Sequence, residues 1–147
     1  MRSLSNNVLG AAGAAALAPA LAANGALTEL SIYSNQVGDE GVGAICEAIQ
    51  SNKETKLASL NFGNNCVSPV GANAVAAMVA VTGALTELSI YGNCVGDAGV
   101  CAICEAIQSN KETKLASLDF GCNGIGPVGA NALAAMVAVT GSLTEVR

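Results

Sequence analysis

The chain has 147 residues, 52% of them hydrophobic but only 3% aromatic, with six basic against eleven acidic side chains and a formal charge of −5. So acidic a chain lacks the lysine and arginine that neutralise phosphates, which excludes nucleic acid and anionic membrane surfaces as expected partners. It has no histidine, which removes Ser-His-Asp triads, Cys-His dyads and most zinc sites, so neither an enzyme nor a metal or organic cofactor is expected.

The length fits one domain. Six cysteines are too sparse for a disulfide scaffold, and no Asn-x-Ser/Thr sequon occurs; both favour a reducing, cytoplasmic compartment. Apolar runs such as residues 74–81 fall far short of the ~20 residues a membrane span needs. At the N-terminus, Met1-Arg2 precedes an uncharged stretch from Ser3 to Thr28 with Ala-x-Ala options near Ala18 and Ala20. That stretch can be read as a signal peptide, but the repeat that follows offers a competing and preferred reading.

Residues 27–84 and 85–142 align without a gap and are identical at 47 of 58 positions. Each unit divides again. LTELSIYSN begins at Leu27, LASLNFGNN at Leu57, LTELSIYGN at Leu85 and LASLDFGCN at Leu115. All four fit L-x-x-L-x-Φ-x-x-N, with Φ either Ile or Phe. The asparagines Asn35, Asn65, Asn93 and Asn123 are spaced 30, 28 and 30 residues apart, and Gly41, Gly71, Gly99 and Gly129 each follow six positions later. Shifted by the same 58 residues, the N-terminal stretch falls into register, Asn7 on Asn65 and Gly13 on Gly71. Residues 1–26 therefore read as a partial repeat, a loop and helix with most of its strand missing. Full repeats are expected at 27–56, 57–84, 85–114 and 115–142, and residues 143–147 start a truncated one, all within a single repeat domain.

The signature resembles that of leucine-rich repeats. The long 28–30 residue unit with an Ala-rich helix is similar to the ribonuclease-inhibitor subclass, which also forms the repeat domains of NOD-like receptors and of Ran GTPase-activating proteins. The resemblance implies an α/β solenoid, a horseshoe segment with parallel strands on the concave side and helices on the convex side. It implies that the Leu, Leu and Ile/Phe positions point inward. It also implies that Asn35, Asn65, Asn93 and Asn123 form a ladder of side-chain bonds to the backbone of neighbouring turns.

Among the helices, Asp39 and Asp97 are candidate N-caps. Val42, Ile45, Cys46 and Ile49 share one apolar face, and Pro69 and Pro127 suit a first helical turn. Ala72, Ala76, Ala130 and Ala134 would let helix and strand layers approach closely. Pro19 lies inside the first helix and is expected to kink or shorten it. No polar cap closes the C-terminal end, so a fragment of a longer repeat protein, or self-association through uncapped ends, is expected.

Two motifs suggest chemistry and lose it to the repeat. Residues 124–129 spell G-x-G-x-x-G after a strand and before a helix, a dinucleotide fingerprint when taken alone. The matching residues 66–71 keep only the last glycine, so the segment reads as an inter-repeat loop. Cys101-x-x-Cys104 has no second pair and reads as free thiols on a helix face. Cys66 and Cys94 each follow a ladder asparagine in adjacent repeats and should be neighbours, with free thiols or a disulfide both open.

The resemblance places function on the concave face. One column there reads Glu29, Ser59, Glu87, Ser117, Glu145, the next Ser31, Asn61, Ser89, Asp119, and the third Tyr33, Gly63, Tyr91, Gly121. Glu29, Ser31, Tyr33, Asn61, Glu87, Ser89, Tyr91 and Asp119 are the candidate partner-binding residues, because tyrosine gives large contact area with a polar tip. The expected function is a protein-protein interaction module for a partner with a basic patch. The alternative is the repeat portion of a NOD-like receptor or sensor. A Ran-type GTPase-activating protein is disfavoured, since the only arginines are Arg2 and Arg147.

Overall fold

The computed structural model describes residues 3–147; Met1 and Arg2, which the partial first repeat includes, lie outside the described residues. The elements run α1 (Gly10–Ala23), β1 (Glu29–Ser31), α2 (Gly38–Ser51), β2 (Ser59–Asn61), α3 (Pro69–Val79), β3 (Glu87–Ser89), α4 (Gly96–Ser109), β4 (Ser117–Asp119), α5 (Pro127–Val139) and β5 (Glu145–Val146). The five strands form one sheet in sequential order, every neighbouring pair parallel. Before β1, Ser3 bridges to Ser31 and the Leu4 amide donates to the Ser31 carbonyl at 2.9 Å. This is the α/β repeat solenoid expected.

Short strands work here because each supplies inward side chains at alternate positions. Leu30 and Ile32, Leu60 and Phe62, Leu88 and Ile90, Leu118 and Phe120 are all buried. The helices close the core from the other side, with Val42, Ile45, Cys46 and Ile49 of α2 and Val100, Ile103, Cys104 and Ile107 of α4 buried against the strands.

The asparagine ladder is present and buried. Asn65 shows its geometry: Nδ2 donates to the carbonyls of Ile32, Phe62 and Gly63 at 2.9–3.0 Å, and Oδ1 accepts from the amides of Asn35 and Val37 at 3.0 and 3.3 Å. Asn35, Asn93 and Asn123 bond in the same way. A second asparagine column, missed by the sequence reading, lies at the opposite edge. Buried Asn52 donates to the Leu21 and Asn24 carbonyls, and Asn110 to those of Val79 and Thr82, all at 2.7–2.9 Å.

The helix contacts alternate between two chemistries. Where α2 meets α1 and α4 meets α3, a glycine allows close approach: a Cβ built on Gly41 would sit 3.0 Å from the Ala14 Cβ, and one on Gly99 2.7 Å from the Ala72 Cβ. Where α3 follows α2 and α5 follows α4, the contact is an acid on a helix N-terminus. The Asp39 carboxylate accepts from the Ser68 amide at 2.7 Å, the Ser68 hydroxyl at 2.6 Å and the Gly71 amide at 3.0 Å.

Three local expectations are corrected here. Asp39 and Asp97 do not cap their own helices, whose N-caps are Val37 and Val95 with no side-chain bond; they lie within the first turn and cap the helix of the next coil, because the parallel stack puts that N-terminus beside them. Pro19 does not shorten α1, which runs 14 residues against 11 for α3. The carbonyl that Pro19 leaves without an amide partner is that of Ala15, and both residues are exposed, on the side of the helix open to solvent. Ala72 mediates helix-to-helix rather than helix-to-strand approach, while Ala130 and Ala134 are exposed because α5 is the last helix. The same position explains why Val137 is 48% exposed while its equivalent Val79 is 1% exposed.

The Asp39 cap has a pH signature. Burial pushes this carboxyl up, but the Ser68 hydroxyl and the Ser68 and Gly71 amides outweigh it and hold the pKa below the ordinary 3.8. A depressed folded pKa means the stabilisation is fully present above pH 3.8 and is lost as pH falls through the lower, folded value. Asp39→Ala should therefore cost about 0.5–2 kcal/mol at pH 7, and the gap to the parent chain should shrink below pH 4. Urea unfolding at pH 7 and pH 3 measures both; a pH-independent gap contradicts the assignment.

Candidate functional site

The sheet brings the candidate residues into the expected columns. Glu29, Ser59, Glu87, Ser117 and Glu145 pair in register across all five strands, and Ser31, Asn61, Ser89 and Asp119 across the first four. The three glutamates are exposed, and the second column is half-buried.

These columns are not equally free to meet a partner. The Ser59 hydroxyl donates to Glu87 at 3.0 Å and the Ser117 hydroxyl to Glu145 at 3.2 Å. Glu145 also pairs with Arg147 at 2.6 Å, which offsets its charge. Asn61 and Asp119 turn along the chain: each Oδ1 accepts from the amide two residues on, Gly63 at 2.8 Å and Gly121 at 2.9 Å. They hold the ends of their strands as much as they offer polar groups outward.

The tyrosines are the largest side chains on this face. The Tyr33 ring lies over Gly63 and the Tyr91 ring over Gly121, so close that a Cβ on either glycine would approach a ring carbon to 2.8 or 3.0 Å. Each phenol has a partner in the next coil: Asn64 Nδ2 donates to the Tyr33 hydroxyl, and the Cys122 thiol donates to the Tyr91 hydroxyl at 3.5 Å. Sequence reading missed Asn64 and Cys122. Their only signal was position, just before a ladder asparagine, in the column Ser34, Asn64, Gly92, Cys122. The hydrogen bond with Cys122 and its charge, helped by desolvation, Tyr33 and Asp119, raise the Tyr91 pKa above its ordinary 10.0. The phenol therefore stays neutral at physiological pH. Two strand spacings separate the two rings, about 10 Å.

At the G-x-G-x-x-G loop the Asp97 Oδ1 accepts from the Gly126 amide at 2.6 Å and the Gly129 amide at 3.0 Å. A carboxylate thus fills the helix N-terminus that a phosphate would need. The six thiols are free, with Cys46 and Cys104 buried and Cys101 half-buried. Burial, with Cys101 and Glu105 nearby, pushes Cys104 up to about 12, so it stays a thiol. Among the described residues no three His, Cys, Asp or Glu side chains converge to hold a metal ion, and no helix is long and apolar enough to cross a membrane.

A family profile described as Leucine Rich repeat matches residues 26–46, 85–104 and 111–134. Those three segments carry leucine-rich repeats. Among solved structures it is similar to "Leiomodin-1 Actin-Binding Site 2 (ABS2)", with a TM-score of 0.77 and 19% identity over 90% of this chain and 75% of that one. At that identity the likeness is one of fold. No curated protein sequence matches.

Proposed function

We propose that this chain is a protein-interaction module that binds its partner on the strand face, concave in a solenoid of this kind. The observation that carries the proposal is the repeated presentation of Tyr33 and Tyr91, each laid over a glycine and held by a polar group from the next coil. Rigid, half-exposed aromatics of this sort make interface hot spots. Glu29 and Glu87 beside them favour a basic partner. Finer readings belong to the same proposal: one repeat domain of the ribonuclease-inhibitor type, supported by the 28/30-residue alternation, working in the cytoplasm. The repeat portion of a NOD-like receptor is the alternative within that subclass.

The test is affinity capture with the purified chain and with the Tyr33→Ala/Tyr91→Ala double variant. The double variant should recover the partner about tenfold less well or worse, since each 1.4 kcal/mol of lost contact is a factor of ten. Recovery should also fall as salt rises. Equal recovery by both chains rejects the tyrosine face, and salt-independence rejects the electrostatic part. Actin is the first partner to try, because the solved likeness is titled for an actin-binding site. Cosedimentation of the parent chain with filamentous actin, lost in the double variant, would identify it; no cosedimentation removes actin from consideration.

A further inference from the structure

Three of the six thiols are exposed, Cys66, Cys94 and Cys122. Cys66 and Cys94 stand at the same place in consecutive coils, the position after the ladder asparagine. The other residues in that column are Gln36 and Gly124, so this is where two cysteines meet in it. The backbones around them are tied directly. The Cys94 amide donates to the Val67 carbonyl at 2.8 Å. The Asn93 side chain accepts from the Asn65 amide at 3.0 Å and the Val67 amide at 2.9 Å, on either side of Cys66. Adjacent strands of a sheet lie about 4.8 Å apart, and the Cα separations that disulfides span are about 4.4–6.8 Å. Nothing buries either thiol, so a soluble oxidant reaches both.

We propose that Cys66 and Cys94 form a redox-active pair that closes a disulfide between successive coils when a small-molecule disulfide is the oxidant. The thiolate of one cysteine attacks a sulfur of the small disulfide, forming a mixed disulfide and releasing one small thiolate. The second cysteine's thiolate then attacks the protein sulfur of that mixed disulfide and releases the other small thiol. Two protein thiols are oxidised to one S–S bond, and the small disulfide is reduced to two thiols, with no net proton change. The bridge closes at the edge of the strand face, beside Asn64 and the Tyr33 hydroxyl it holds. The buried cysteines Cys46 and Cys104 stay out of the exchange.

The experiment incubates the full chain with excess glutathione disulfide and counts free thiols by mass spectrometry after alkylation under native and then denaturing conditions. Combined cleavage after Glu and before Asp puts Cys66 in residues 55–87 and Cys94 in residues 88–96, so the bridge appears as one linked pair of peptides. The expected result is that linked pair, two hydrogen atoms lighter than the sum of its parts and restored to two peptides by reductant. Cys66→Ser should leave a stable glutathione adduct on Cys94 instead, with circular dichroism confirming the fold. Glutathione adducts persisting on both cysteines of the parent chain, a bridge to Cys122, or no loss of either thiol overturns the proposal.

Discussion

Asn65→Ala is expected to remove about 3–5 kcal/mol of unfolding free energy, a large share of the total for a domain of this size. Its amide makes five hydrogen bonds and is fully buried. Truncation leaves the Asn35 and Val37 amides without a partner, at about 1–3 kcal/mol each, and takes one of two donors from each of the Ile32, Phe62 and Gly63 carbonyls. Water entering the vacated space satisfies some of them, which keeps the sum below the maximum. Asn64 is the control, one residue earlier but exposed; its φ of 52° suits glycine, which the next coil carries as Gly92, so Asn64→Gly should change stability by about 0.5 kcal/mol or less. Urea unfolding followed by circular dichroism measures both. A loss under about 1 kcal/mol for Asn65→Ala would mean that the ladder is not what holds the coils in register.

Gly99→Val is expected to cost about 2–4 kcal/mol by forcing α4 away from α3. The added Cβ alone would stand 2.7 Å from the Ala72 Cβ and 2.9 Å from the Val95 Cβ. Neither atom can rotate away, so the helix backbones must part. Gly43→Ala should have the opposite sign. Its Cβ would meet nothing within 4 Å, and a mid-helix glycine replaced by alanine gains about 0.5–1 kcal/mol. The equivalent position in the second unit already carries Cys101. Thermal unfolding should therefore move down for the first variant and up for the second. A loss in both would show that the helices tolerate no change on either face, and would remove the argument from close approach.

What could be read from the sequence follows from what spacing encodes. The 28–30 residue period locates the strands, the inward residues and the ladder asparagines, because each recurs at a fixed offset and the sheet stacks them in order. The same logic sets Tyr33 above Gly63 and Tyr91 above Gly121. The missed contacts are those in which a side chain reaches into the next coil instead of repeating its own motif. Asp39 sits at a plausible N-cap position by local rules, yet its partners are Ser68 and Gly71, 29 and 32 residues on. Asn52 and Asn110 end helices, and local sequence does not show that each ties down the helix before it. The shortening expected of Pro19 does not occur for a related reason: the cost of a proline inside a helix depends on whether solvent reaches the freed carbonyl, which is a property of the assembled surface.

The alternation of contacts also explains why the units repeat every 58 residues more faithfully than every 29. An acid on a helix N-terminus and a glycine over an alanine are different solutions to joining two coils. Each helix type carries one half of each solution, so the pair of coils recurs as a unit.

The central claim, that partners are met on the strand face at the two tyrosines, is tested most directly by site-specific photocrosslinking. A photoreactive phenylalanine analogue replaces Tyr33 or Tyr91 on the strand face, or exposed Glu47 or Glu105 on the helices. With the captured partner present, crosslinks should form from positions 33 and 91 and be absent from 47 and 105. Crosslinks from the helical positions alone would contradict the account.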